Sequence, residues 1–234
     1  MLRKLSLAVA ATALLAAPAF AQDVVSPTKD AIMASFDIVR TQVKSVGPDV
    51  VFRVQVRGKA GELKPKAVGQ FAGSAVWSYV WPTSLNSSSV GFEGDQGILA
   101  LAVTFHPDFD DAAYGGVNRH VWHPHWVVLV PDDACGKGAL KVRDIPEGAK
   151  PKVPATWPGV PLLIDSPTYP TTLATDTVEV SVPASVIGAV EGVKFDGVTS
   201  ALKVNANLHA PLLCISDIFD VASGDLSLPG KITR

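Results

Sequence analysis

The chain is predicted to be all-β, an antiparallel β-sandwich with long Pro/Gly-rich loops and at most one or two short helices. Three observations predict this. Several short segments alternate apolar and polar residues with period two, the signature of a strand with one buried face. Gly, Pro, Asn and Ser clusters punctuate them about every 8–15 residues, as in sandwiches. No long stretch keeps the 3.6-residue period of a helix.

Residues 1–21 read as a secretory leader: Arg3 and Lys4 supply the positive start, Leu5–Leu15 the apolar middle, and Ala19-Phe20-Ala21 a small-x-small cleavage site. The apolar run is shorter than the roughly 20 residues that span a bilayer, and no later run approaches that length. Export is therefore expected, to the periplasm or the outside, with residues 22–234 forming a single β-sandwich domain. Gln22–Lys29 is polar and contains a proline, and reads as a loose arm.

The first hairpin follows. Phe36, Ile38 and Arg40 alternate with Asp37, Val39 and Thr41, Gly47-Pro48 marks a turn, and Phe52, Val54 and Val56 alternate with Arg53, Gln55 and Arg57. Gly58–Lys66 is a charged loop. Ser74–Trp81 is the next strand, with Trp77, Tyr79 and Trp81 on one face and Val76, Ser78 and Val80 on the other. Gly97–Phe105 is apolar nearly throughout, as in a strand covered on both faces. Trp122–Pro131 is a strand with Trp122, Trp126 and Val128 on one side and His123, His125, Val127 and Leu129 on the other. From Pro131 to Pro170 seven further prolines between them and at Pro170 itself exclude a long helix, leaving extended loops and a short strand at Gly138–Val142. Asp176–Val182, Val198–His209 and Leu212–Asp220 complete the strands, with a short helix at Pro183–Ile187.

The hairpin S-F-D-I-V-R-T-Q-V-K-S-V-G-P-D-V-V-F-R-V-Q-V-R-G, Ser35 to Gly58, resembles the opening of DOMON-like and family 9 carbohydrate-binding-module-like domains. The resemblance covers about a tenth of the chain. It implies a β-sandwich that binds a ligand, sugar or haem in those families, more than one that catalyses a reaction. For haem, the region beyond the leader offers only Met33 as a methionine, and nothing pairs it with a histidine.

Composition narrows the partners. The formal charge of −2 becomes −4 once Arg3 and Lys4 leave with the leader, and no segment forms a basic stripe, so nucleic acid is not expected. With 47% hydrophobic and 18% charged residues the chain can fill a core and is not disordered. Cys135 and Cys214 are expected to pair in an oxidising compartment, closing a loop of about 80 residues worth roughly 4 kcal/mol in the chain-entropy treatment. The alternative is a thiolate serving as a soft metal ligand.

The segment from Phe105 to Trp126 concentrates the chemistry, holding four of the five histidines. His123 and His125, two apart on a strand, project from one face about 6–7 Å apart at the backbone. His120 lies just before that strand, and His106 ends the preceding one. Imidazoles in this number suit zinc or copper, so His106, His120, His123 and His125 are the expected ligands of a divalent transition metal. Surface or packing roles, and acid–base catalysis, are the competing readings. Pro124 between the pair restricts that position to an edge or a bulge.

Asp108, Asp110 and Asp111 form a second candidate, as calcium ligands or as carboxylates orienting a metal-bound imidazole, although D-x-D-D lacks the glycine and distal glutamate of an EF-hand. An acidic surface turn is the plain alternative. Trp77, Tyr79, Trp81, Trp122 and Trp126 form the third, as rings for stacking on a carbohydrate or another small ligand, with core packing as the competitor. There is no G-x-S-x-G, no H-E-x-x-H and no phosphate-cradling glycine loop. The leading expectation is an exported metal-binding protein, ahead of a carbohydrate or small-ligand module and of a metal-dependent hydrolase with an open coordination position.

Overall fold

The computed structural model describes residues 22–110, 118–206 and 212–232. The expected leader, Asp111 and the end of the predicted strand Val198–His209 lie outside them. The chain lays down β1 (Val24–Val25), β2 (Ile38–Val46), β3 (Asp49–Val56), β4 (Ala75–Pro82), β5 (Ile98–Phe105), β6 (His123–Pro131) and β7 (Leu140–Val142). It continues with β8 (Ile164–Asp165), β9 (Thr171–Ala174), β10 (Thr177–Pro183), the short helix α1 (Ala184–Ile187), β11 (Lys194–Phe195), β12 (Val198–Val204), β13 (Leu213–Val221) and β14 (Gly230–Lys231). All the strand pairs are antiparallel, as the alternating segments predict.

One sheet has the order β1-β2-β3-β10-β9. Its first hairpin turns at Gly47-Pro48, and Gly47 takes φ 58°, a left-handed conformation that glycine adopts without steric cost. The predicted face of β2 is corrected here. The register shifts between Ile38 and Arg40, so Arg40 is exposed while Thr41 and Val43 turn inward. A bulge inserts one residue and inverts the alternation beyond it.

The second sheet runs β5-β4-β12-β13-β7-β6-β8, and β5 also pairs with β6. Six of its strands therefore close into a ring. The seam is thin, because β7 meets β13 through one residue pair, Cys214 with Lys141. The Cys135–Cys214 disulfide, Cα atoms 5.5 Å apart, ties β13 to the turn between β6 and β7 beside that seam. The predicted pairing is thus present, and the thiolate alternative falls.

Closure gives this sheet two apolar faces. Outward, Tyr79, Trp81, Leu99, Leu101, Trp126 and Val128 pack on Phe36, Phe52, Val178 and Val180 of the first sheet, making a sandwich core. Inward, Val76, Val80, Ala102, Val127, Leu129 and Leu202 line the lumen of the ring. That double burial explains why β5 is apolar in all but Thr104.

Candidate metal centre

β5 and β6 pair from Ile98–Leu129 to Thr104–His123, with Ala102 opposite His125. His106 follows directly after β5. This register brings the end of one strand beside the start of the next and places His106, His123 and His125 together, all buried at 2%, 2% and 1% exposure. The pleat turns His123 and His125 the same way, into the lumen with Val127 and Leu129, while Trp126 and Val128 face the sandwich core. Pro124 is tolerated within β6. The Val128 N–H points to the β8 side, toward Leu163 O, so by alternation the missing donor of Pro124 falls on that side, where β8 pairs only with Trp126 and Val127.

One ring nitrogen from each of the three histidines lies within 4.8 Å of the others. The His106 and His123 ring centroids are 4.7 Å apart, and those of His123 and His125 are also 4.7 Å apart. In each residue Nδ1 faces a backbone carbonyl: Phe109 O at 2.8 Å from His106, Val121 O at 3.0 Å from His123, and Asp165 O at 3.0 Å from His125. A carbonyl oxygen only accepts, so each Nδ1 carries a hydrogen and each neutral ring keeps its lone pair on Nε2. Fixing the tautomer through the far nitrogen is how proteins orient metal-ligating imidazoles.

The consequence is electrostatic. His106 Nε2 and His123 Nε2 are 2.9 Å apart, and neither neutral ring has a proton there for the other. Two lone pairs at that distance repel, and a cation between them removes the conflict. The arrangement can hold a metal ion. In a tetrahedral site with bonds of 2.0–2.1 Å, ligand nitrogens lie about 3.3 Å apart, between the 2.9 Å of the His106–His123 pair and the 4.8 Å within which all three histidines offer a nitrogen.

Other groups complete the surroundings. The Asn118 amide lies 3.1 Å from His123 Nε2, and Asn118 is 1% exposed. Amide oxygen and nitrogen exchange by a half-turn of the side chain, so Asn118 can present an oxygen to an ion at the same place. Phe109 stacks on the His106 ring, centroids 4.1 Å apart and planes at 6°, holding its orientation. Ser166 Oγ lies 3.1 Å from His125 Nδ1. Burial raises the carboxyl pKa of Asp165, which accepts from Thr156 Oγ1 at 2.7 Å.

His120, expected as a fourth ligand, stands exposed in the turn before β6 and outside this group. Residue 122 intervenes, and its ring turns toward the sandwich, where Trp122 Nε1 donates to Gly61 O at 3.2 Å. The described aspartates are also elsewhere. Asp108 Oδ1 accepts from the N–H groups of Val68 and Gly69, and Asp110 pairs with Arg119 at 2.8 Å. The Arg119 backbone N–H, then its guanidinium, hold the Asp110 carboxyl below the usual range. Neither joins the histidines or a second group of potential metal ligands among the described residues. Backbone carbonyls orient the imidazoles in place of carboxylates.

Burial corrects the aromatic expectation. Tyr79, Trp81 and Trp126 are wholly buried in the sandwich core, and Trp77 and Trp122 are half-buried against it. The shared faces are present, but a second sheet covers them, so they do not form a stacking surface for a sugar. Asn118 is the contact that sequence reasoning left out of the ligand set. Its only signal was its place in the histidine-rich loop.

No family model, curated protein or solved structure matches the chain. The likeness of Ser35–Gly58 to DOMON-like modules therefore stays an expectation from the sequence.

Proposed function

We propose that this chain is an exported metal-binding protein that holds one divalent transition ion, zinc or copper, through His106, His123 and His125. The observation that carries the reading is the pattern of three Nδ1 atoms engaged by backbone carbonyls, with one ring nitrogen from each histidine gathered within 4.8 Å and the His106 and His123 Nε2 atoms 2.9 Å apart. A shared proton would relieve two of the rings, whereas a metal ion serves all three. Imidazole nitrogen suits both ions. Asn118 Oδ1 or water completes the coordination. The disulfide and the leader-like residues 1–21 support an oxidising compartment outside the cytoplasm.

The test is elemental analysis of untagged protein from its native compartment, with calorimetric titration of the metal-free form by Zn²⁺ and Cu²⁺. One equivalent per chain is expected, abolished by His123→Ala with His125→Ala. Metal-free protein that binds neither ion below the millimolar range overturns the reading.

A further inference from the structure

The lumen of the closed ring is not filled by its own side chains. A cavity of about 460 Å³ runs through it, within the size range of small-molecule sites. Its walls are mostly aliphatic, with Phe71 and Phe109 added and polar side chains at His106, His125, Asp110, Thr83 and a row of hydroxyl residues. The reason for the space lies in that row of small residues, which runs into the histidine end of the lumen at Thr104, the partner of His123. Ser200 of β12 pairs with Ser78 of β4, and Ser78 pairs with Thr104 of β5, so three small side chains sit in one cross-strand row where larger ones would close the lumen. Ala102 adjoins them in the next row.

That row is polar, and one of its members lacks a partner. Ser78 Oγ and Ser200 Oγ hydrogen-bond each other at 2.8 Å. Thr104, 6% exposed, has a buried Oγ1 with no hydrogen-bond partner among the described residues. A buried hydroxyl in that state is costly, and natural structures satisfy almost all such groups. Thr104 lines the cavity beside His106 and His125. The lumen thus has a long apolar wall and an oxygen-seeking group at its histidine end.

We infer that the lumen binds a single-chain aliphatic molecule with one oxygen-bearing head group, a monocarboxylate being the simplest case, with the head received by Thr104. The aliphatic tail runs away from the histidines between Val80, Val127, Leu129 and Val198. The apolar wall supplies affinity and the lone hydroxyl sets direction, the usual division of labour in small-ligand sites. This goes beyond the metal reading, since wall and hydroxyl are present whether or not an ion is bound.

The experiment is calorimetric titration of the disulfide-intact protein with sodium laurate, in zinc and again in EDTA. One laurate per chain is expected in at least one arm, at micromolar affinity. Val198→Trp, which fills the lumen remote from the histidines, should weaken binding at least tenfold while leaving the zinc response intact. Val80→Phe serves the same purpose if the first variant does not fold. Thr104→Val should weaken laurate about tenfold, as loss of a hydrogen bond to a charged group does. No laurate binding in either arm, or equal binding by the folded lumen-filling variant, overturns the inference. So does an unchanged affinity in Thr104→Val. Laurate bound without any zinc response would instead remove the metal reading and leave this one standing.

Discussion

Replacing His123 by leucine separates a metal ligand from an ordinary core histidine. In the metal-free protein the substitution loses the bond from Nδ1 to Val121 O, worth about 1 kcal/mol net, and leaves that carbonyl to find another partner. It also removes the contact between Nε2 and the Asn118 amide at 3.1 Å, but relieves the repulsion of the two lone pairs that face each other at 2.9 Å, and leucine fits an interior already lined by aliphatic groups. These effects oppose, so metal-free stability should change by no more than about 1–2 kcal/mol. The metal response should change far more. An ion at a hundredfold excess over its dissociation constant stabilises the native state by about 2.7 kcal/mol. For a domain of this size each kcal/mol moves the melting temperature by about 2–4 °C, so the wild-type protein should gain roughly 5–11 °C.

Differential scanning calorimetry in EDTA and in excess zinc reads both quantities from one preparation. The wild type and His120→Ala should show the full shift, because His120 is exposed and lies outside the buried group. His123→Leu should show almost none while melting near the wild type in EDTA. A wild-type protein indifferent to millimolar zinc and copper would refute the reasoning. A His123→Leu variant that keeps the whole shift, or a His120→Ala variant that loses it, refutes the ligand assignment.

Three further outcomes test the scaffold. Tyr79→Phe should cost about 1–3 kcal/mol in urea unfolding at pH 8, because the hydroxyl donates to Ser35 O and accepts from Gly61 N–H, both at 2.8 Å and buried. Burial raises the Tyr79 pKa well above its ordinary value, so its contribution is complete below about pH 10 and is lost as pH rises further, when the unfolded chain ionises and the native one resists. The wild type should therefore lose more stability than Tyr79→Phe between pH 9 and pH 11, and equal losses would contradict this. Gly61→Ala should destabilise by about 2–4 kcal/mol in the same assay, since Gly61 has φ 69° and a Cβ there would lie 2.4 Å from Leu173 Cδ2 and 2.9 Å from Trp122 Nε1. Removing the disulfide by Cys135→Ala with Cys214→Ala should lower stability by up to about 4 kcal/mol, and hydrogen exchange should rise first in β7 and β13. Uniform loosening of both sheets would count against the seam.

What was legible in the chain depended on whether the signal was local. The period-two pattern of His123, His125, Val127 and Leu129 was enough to put both histidines on one face, and the adjacency of two apolar strands brought in His106. His120 misled because proximity in sequence does not carry a side chain around a turn. The faces of Trp77, Tyr79 and Trp81 were readable, but which face another sheet covers is a long-range fact. The bulge at Ile38–Arg40 gave no signal in composition. Ring closure was the least visible feature, since β7 is three residues long and its contact with β13 is a single pair. The carbonyls that orient the imidazoles belong to residues 109, 121 and 165, and a backbone carbonyl leaves no mark in the residue type.

The dependence of the site on β6 has a further consequence for how the protein can vary. Trp126 and Val128 are fixed in the sandwich core, while His123, His125, Val127 and Leu129 point into the lumen. A slip of one residue would send every one of these side chains to the opposite face, placing tryptophan in the lumen and imidazole among Phe52 and Trp81. The register that seats Trp126 against Phe52, ring centroids 5.9 Å apart, is therefore the register that aims the two imidazoles. The histidine cluster and the sandwich packing are two readings of one strand alignment. A substitution that loosens the sandwich side of β6, such as Trp126→Ala, should weaken zinc binding although Trp126 lies on the opposite face of the strand from the histidines. A Trp126→Ala protein that remains folded and binds zinc with wild-type affinity would show that β6 is held in register from the lumen side alone.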